Sequence, residues 1–256
     1  MHSLVGLPGA SARRSSGRNP TVLAFHGFGG VPLEIEVACE AAEELGLATY
    51  APVLPGHGTV PSDLAPLRFA DLLRGAIAAF EEVKKNGPVI IVGLSLGSML
   101  ATELTLRSPR DVLALGILGN AFWFRRPFPG TALEIAVGLG VPDFGFPKIA
   151  SDLGDPEAAK THVTYHIQPL RTAASIQEAG ARLAPRLRGV NCPTLILHGA
   201  LDAVCPAENA SKVATRLGTH DRRVVILPRS RHILTRDVER EVVRAELKQF
   251  FSRFVA

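Results

Sequence analysis

Short apolar, β-rich runs recur along the chain: TVLAFHG (21–27), LATYAPV (47–53), PVIIVG (88–93), LALGILG (113–119), PTLILHG (193–199) and RRVVILP (222–228). They are apolar on both faces instead of alternating, so they read as strands of a parallel sheet covered by helices on both sides. Between them, VPLEIEVACEAAEELG, RFADLLRGAIAAFEEVKKNG and SLGSMLATELTLR carry apolar residues at helical spacing and end near glycine or proline. Near the C-terminus Val243, Leu247, Phe250 and Phe254 fall on one helical face. The pattern predicts an α/β fold, a mostly parallel sheet with helices on both faces. The βα rhythm lapses for almost 70 residues between Phe124 and Pro193, a stretch rich in Pro, Gly and Phe. That is too long for a loop in a compact domain, so it predicts an inserted cap over 123–188, with 1–122 and 189–256 forming the core.

Composition changes this picture little. At 256 residues, 46% hydrophobic and 20% charged, the chain is an ordinary globular one, able to bury about three quarters of its unfolded surface. Its formal charge of +4 comes from scattered arginines and short pairs such as Arg13–Arg14 and Arg125–Arg126, with no basic run and no aromatic interleaving, which argues against a nucleic-acid partner. Cys39, Cys192 and Cys205 have no metal-ligand or CxxC spacing and read as buried thiols in a reducing compartment. The N-terminal arginines follow a short apolar stretch, the reverse of a signal peptide's order, and no apolar segment reaches the length of a membrane span. The expectation is a cytoplasmic protein with a loose N-terminal arm and no stable membrane insertion. Nothing in the sequence sets an oligomeric state.

The chemistry starts at VIIVGLSLGSML, where a buried-looking strand gives way to helical sequence and Ser95 sits between Gly93 and Gly97. In an open parallel sheet, ligands bind beyond the carboxyl ends of the strands, so Ser95 faces the site. The sharp strand-to-helix turn strains the nucleophile's backbone, and side chains at Gly93 and Gly97 would collide with the neighbouring strand and helix. A serine hydroxyl is a poor nucleophile until a base takes its proton, and that base needs an acid to orient it. TLILHGALDAVCP places Asp202 in the loop after one strand, and VVILPRSRHILTRD places His232 between the last strand and the C-terminal helix. Serine, acid and histidine thus converge at the carboxyl edge of the sheet. LAFHGFGG (23–30) runs from a strand into glycines, including Gly27, that let backbone approach a ligand; there the Phe28 amide, with that of Leu96, is placed to donate to an oxyanion.

These pieces, HGFGG, LPGHGTVPSDL, GLSLGSMLA, LHGALDAVCP and SRHILTRD, occur in order over residues 21 to 254 and resemble the α/β-hydrolase superfamily, within it the small bacterial carboxylesterases and monoacylglycerol lipases. The resemblance implies Ser95 as nucleophile, Asp202 as acid, His232 as base and the Phe28 and Leu96 amides as oxyanion hole, with no cofactor or metal. It implies hydrolysis of a small-molecule carboxylic ester, of short to medium acyl chain, through an acyl-enzyme. Monoacylglycerol lipase, thioesterase, lactonase and C–C hydrolase activities use the same triad and stay open. So does a small-molecule receptor built on this fold.

Other residues compete for roles. Asp237 is an alternative acid, but it lies just after His232 at the opening of a helix, where N-capping is expected. His26 and His198 end strands in HG dipeptides and read as packing or hydrogen-bonding groups, and His57 as a loop-ordering residue. His162 and His166 are spaced i, i+4, without the glutamate of a metallopeptidase motif or a third ligand. Phe122, Trp123, Phe124 and Phe128, with Phe144 and Phe146, are candidates for an acyl pocket beneath the cap.

Overall fold

The computed structural model describes residues 6–126, 132, 135–136, 139, 145–147 and 151–255. Phe128 and Phe144 lie outside the described residues. The chain runs through β1 (Arg13–Ser15), β2 (Arg18–Phe25), α1 (Glu36–Glu43), β3 (Leu47–Ala51), α2 (Pro61–Leu64), α3 (Phe69–Val83), β4 (Val89–Leu94), α4 (Leu96–Arg107) and β5 (Val112–Leu118). It continues through β6 (Gly145–Pro147), α5 (Pro156–Thr161), β7 (Ile167–Pro169), α6 (Leu170–Leu183), β8 (Thr194–Gly199), α7 (Asn209–Ala214), β9 (Arg222–Leu227) and α8 (Arg240–Ser252).

Seven of the described strands form one sheet in the order β1-β3-β2-β4-β5-β8-β9. All neighbours are parallel except β1 with β3. The doubly apolar runs have their cause in the two cores. Val22 and Ala24 of β2, with Ile90, Val92 and Leu94 of β4, pack toward α1 and α8; Leu23, Phe25, Val89 and Ile91 pack toward α3, α4 and α6. At about 25 cal/mol per Å² of apolar surface removed from water, neither face of a central strand can be polar without loss.

Strand order reverses at β2, since β3 lies on one side of it and β4 on the other. The crevice beyond the carboxyl ends of β2 and β4 is where such a fold binds its ligand. The residues following those two strands are HGFGG and Ser95.

Two expectations change. The N-terminal arm is not loose over its whole length: Arg13–Ser15 pairs antiparallel with β3, and the Arg13 guanidinium bonds Glu36 at 2.7 Å and Glu43 at 2.6 Å on α1. The run 222–228 is not buried on both faces. As β9 it is the sheet's edge, with Val224 and Ile226 exposed and Leu227 buried.

Between β5 and β8 the chain leaves the large sheet. β6 and β7 form a separate antiparallel pair, and α5 and α6 add helices that cap the sheet. The later part of this insertion is continuous with the core, because Tyr165, Ile176, Ala179 and Leu183 belong to the same apolar cluster as β2 and β4.

Candidate active site

The turn from β4 into α4 gives Ser95 φ 54° and ψ −114°, and among the described residues no other non-glycine has positive φ. L-residues avoid that region, so the surroundings must hold the turn in place. They leave no room for side chains: a Cβ on Gly93 would come within 2.0 Å of the Gly97 carbonyl oxygen, and one on Gly97 within 2.2 Å of the Phe25 oxygen. The Ser95 N–H donates to Leu118 O at 2.9 Å, and Ser98 Oγ donates to Ser95 O at 2.6 Å.

The structure brings Ser95, His232 and Asp202 together. Ser95 Oγ lies 2.8 Å from His232 Nε2, and His232 Nδ1 lies 2.7 Å from Asp202 Oδ2. Asp202 is wholly buried, and four groups hold it. The Val204 and Cys205 amides donate to Oδ1 at 2.8 and 2.7 Å, and His198 Nε2 stands 3.0 Å from Oδ2 beside His232. Burial alone would raise its pKa; attraction to His232 and hydrogen bonds from His198 and His232 outweigh it, holding the carboxylate below its ordinary range. An ionised Asp202 fixes the His232 tautomer that turns Nε2 toward the serine.

Opposite Ser95 is the turn after β2. The His26 ring donates through Nδ1 to Gly27 O at 2.9 Å, and its Nε2 accepts the Leu54 amide at 3.1 Å. Burial, opposed by Glu34 and the Gly27 carbonyl, lowers the His26 pKa and favours this neutral ring. A trans peptide points its N–H away from its C=O, so anchoring Gly27 O aims the Phe28 N–H the other way. The Gly27 amide itself is engaged, donating to Glu34 Oε2 at 3.0 Å. The Leu96 amide opens α4, where helical N–H groups lack intrahelical partners.

A cavity of about 290 Å³ opens on these groups. Phe28, Leu94, Leu96, Phe124, Phe146, Ile176, Val204 and Ile233 supply apolar wall, and Glu34, Arg126, Asp152 and Gln168 add polar atoms. Of the six aromatics named from sequence, Phe124 and Phe146 line it. Phe122 and Trp123 do not: Phe122 is buried in the core, its ring 5.9 Å from that of Trp123, and Trp123 stacks under Lys212 and Arg216. Neighbours in sequence take opposite sides here because this stretch has left the strand and has no fixed period.

The remaining candidates fall as follows. Asp237 does not cap α8, which begins three residues later; its carboxylate accepts the Gly154, Asp155, Arg231 and Val238 amides, tying the insertion to the His232 loop. His162 and His166 do not share a site: the His162 side chain is buried against Glu34, while His166 is exposed. His57 stacks on Tyr165 at 6.3 Å and donates to Pro55 O at 2.9 Å.

The model of the serine aminopeptidase S33 family of hydrolases matches residues 17–239. The chain belongs to this family. Among its relatives is the thermostable monoacylglycerol lipase of Bacillus sp. (strain H-257), 26% identical over 233 residues that cover 91% of this chain and 90% of that one. The carboxylesterase of Bacillus subtilis (strain 168) is 22% identical, with 93% and 94% covered. A solved structure from work on the metagenome-derived lipolytic enzymes LipS and LipT superposes with TM-score 0.88 at 26% identity, covering 97% of this chain and 99% of that one.

Two residues of this S33-family site, Asp152 and Glu34, carried no signal in the sequence, and a third, His162, stood out only for its i, i+4 spacing with His166. Asp152, from the insertion, accepts the Ala203 amide at 2.8 Å and the His232 amide at 3.1 Å, bracing the Asp202 and His232 loops together. Glu34 and His162 meet behind the turn after β2 at 2.6 Å. No motif marks these residues, because each acts on backbone or on another loop far away in sequence.

Proposed function

We propose that this protein is a serine carboxylic-ester hydrolase in which Ser95 is the nucleophile, His232 the general base and acid, and Asp202 the orienting acid. The observation that carries the reading is the unbroken chain of hydrogen bonds from Asp202 through His232 to Ser95, ending at an apolar cavity. Ser95 Oγ attacks the ester carbonyl carbon as its proton passes to His232 Nε2. The Phe28 and Leu96 amides receive the charge on the carbonyl oxygen, each donor of this kind being worth about 3 kcal/mol of barrier. Collapse breaks the C–O bond, His232 protonates the departing alcohol, and water, deprotonated by the same ring, releases the acid and restores the serine.

The cavity favours esters over the N-terminal amines of peptides. Recognising a free ammonium needs an uncommitted carboxylate, and the two that line the described cavity have protein partners. Glu34 is engaged by Gly27 and His162; Asp152 by Ala203, His232 and Arg231. The substrate's acyl chain lies along the apolar wall, and a volume at the small end of ligand pockets, about 300–1,000 Å³, suits short to medium chains. We place residues 123–188 as the cap over this pocket, and the protein in the cytoplasm, where its three free cysteines stay reduced. Among the described residues no helix is long and apolar enough to cross a membrane.

The test is a series of p-nitrophenyl esters run beside monoacylglycerols and an aminoacyl p-nitroanilide, with Ser95→Ala as control and fluorophosphonate labelling. Ester turnover that disappears in Ser95→Ala, with the label on Ser95 alone, is expected. Label elsewhere or an active alanine variant overturns the assignment, and preferential cleavage of the anilide moves the substrate to peptides.

A further inference from the structure

We propose that Glu34 and the cap residue His162 form a positioning pair for the oxyanion donor at Phe28, so that a seated cap is part of the catalytic geometry as well as its cover. The inference rests on the assignment of the Phe28 amide to the oxyanion hole.

Glu34 sits in a short 3₁₀ turn, Pro32–Ile35, just before α1. The structure turns it inward until its side chain is 4% exposed. Burying a carboxylate is costly unless its oxygens find donors, and here the Gly27 amide and His162 supply them. Oε2 accepts the Gly27 amide at 3.0 Å, and Oε1 stands 2.6 Å from His162 Nε2. The other ring nitrogen of His162 lies 2.5 Å from Ser151 Oγ, so both nitrogens of the imidazole are engaged and its orientation is set. Gly30 makes the arrangement possible, since a Cβ there would fall within 2.1 Å of Glu34 Oε2.

The same stretch of the cap grips the other side of the turn. Gly29 O accepts both the Thr164 hydroxyl at 3.1 Å and the Tyr165 amide at 2.9 Å. Phe28 is therefore held between two clamps, Glu34 on the Gly27 amide before it and the cap on the Gly29 carbonyl after it. An oxyanion donor helps only if it is already aimed at where charge will develop, so loosening either clamp should weaken transition-state binding more than substrate binding.

The experiment compares Glu34→Ala, Glu34→Gln and His162→Ala with the wild type. It reads kcat per active site titrated with fluorophosphonate, KM for p-nitrophenyl butyrate, affinity for a trifluoromethyl ketone that adds to the serine, and Tm. Glu34→Ala is expected to lower kcat about 10- to 100-fold, less than outright loss of a donor, with KM within about twofold and ketone affinity falling in parallel with kcat. Glu34→Gln keeps an acceptor for the Gly27 amide and should stay within about threefold of wild type; His162→Ala, removing one support of two, should lose about three- to tenfold. Titration separates these effects from misfolding, which lowers the number of active sites and leaves kcat per site alone. Unchanged kcat per site and ketone affinity in Glu34→Ala overturns the proposal, as does a rise in KM alone, which would make Glu34 a substrate contact. Should Glu34→Ala not fold, wild-type kcat and ketone affinity in His162→Ala overturn it equally. If the wild type itself neither hydrolyses the ester nor labels at Ser95, the functional reading has failed; a labelled, active wild type with indifferent variants means that this inference alone has failed.

Discussion

Asp202 and Asp237 are both buried, both near His232 and both rich in hydrogen bonds, yet their partners assign them different work. Asp202 shares an oxygen with His232 Nδ1, whereas Asp237 spends its carboxylate on four backbone amides. Asp202→Asn should therefore cost roughly 10³–10⁴-fold in kcat through the wrong histidine tautomer. Asp237→Asn should cost about 1–3 kcal/mol of stability, since one amide oxygen cannot replace two carboxylate oxygens, with a much smaller fall in kcat. Urea unfolding and ester hydrolysis on the same two variants check the ranking, and the reverse order would move the acid to Asp237. Asp202 and Asp237 were both visible in the sequence as candidates, because loop ends after strands are legible. What Asp237 binds was not, since two of its four amides belong to the insertion some 80 residues away.

Among the elements, the β4–α4 turn is the most constrained. Ser95 holds a backbone conformation that a serine avoids, and the space around Gly93 and Gly97 is filled by backbone oxygens that have nowhere to go. Gly97→Ala and Gly93→Ala are each expected to lower Tm by on the order of 3–10 °C, the cost of overpacking by about 1–3 kcal/mol in a chain of this length, and to abolish turnover. Thermal unfolding with activity on p-nitrophenyl butyrate reads both; a variant with wild-type Tm and kcat would show that the turn tolerates a Cβ. This element was legible because G-x-S-x-G after an apolar run has a steric cause that is local. The edge strand β9 was read less well. Its composition is that of a buried strand, but burial depends on what lies beside it, and among the described residues no further strand does.

For the molecule as a whole, two buried histidines set the response to acid. Burial, with the neighbouring His26, pushes His57 down to about 3, against supporting contacts with Pro55, Glu34 and Leu54, and burial lowers His26 as well. A histidine lowered in the fold binds its proton in the unfolded chain first. Its contribution to stability is therefore complete above about pH 6.5 and lost as pH falls toward the folded value. His57 alone should give about 1.4 kcal/mol per pH unit between those limits, with His26 adding in the same sense. Asp202, lowered from the carboxylate range, loses its contribution only below about pH 4, so a decline beginning near 6.5 belongs to the histidines. Urea unfolding at pH 7.5, 6 and 5 should show the slope, reduced in His57→Gln; a flat profile would contradict the burial of neutral rings.

The whole molecule also sets substrate length. Each methylene buried against Phe124, Ile176 and Val204 is worth about 0.8 kcal/mol, nearly fourfold in affinity, until the cavity is full. With a cavity of about 290 Å³, kcat/KM should climb with acyl length, peak within roughly four to ten carbons and then fall. A profile that is flat or best for acetate would show that the apolar wall does not hold the acyl chain.

By itself the sequence determined what depends on short-range causes. Six strands of the large sheet and four of its helices follow from apolar periodicity, the Ser95 turn from its two glycines, and the convergence of Ser95, Asp202 and His232 from three loops that a parallel sheet brings to one edge. The tertiary structure alone decided which aromatics reach the cavity, that Arg13–Ser15 joins the sheet, and that Asp152, Glu34 and His162 brace the site. Those outcomes turn on contacts between residues as many as 128 positions apart, as for Glu34 and His162. Such pairs share no period and no local motif; a carboxylate that finds a histidine in the fold looks, along the chain, like any acid near the start of a helix.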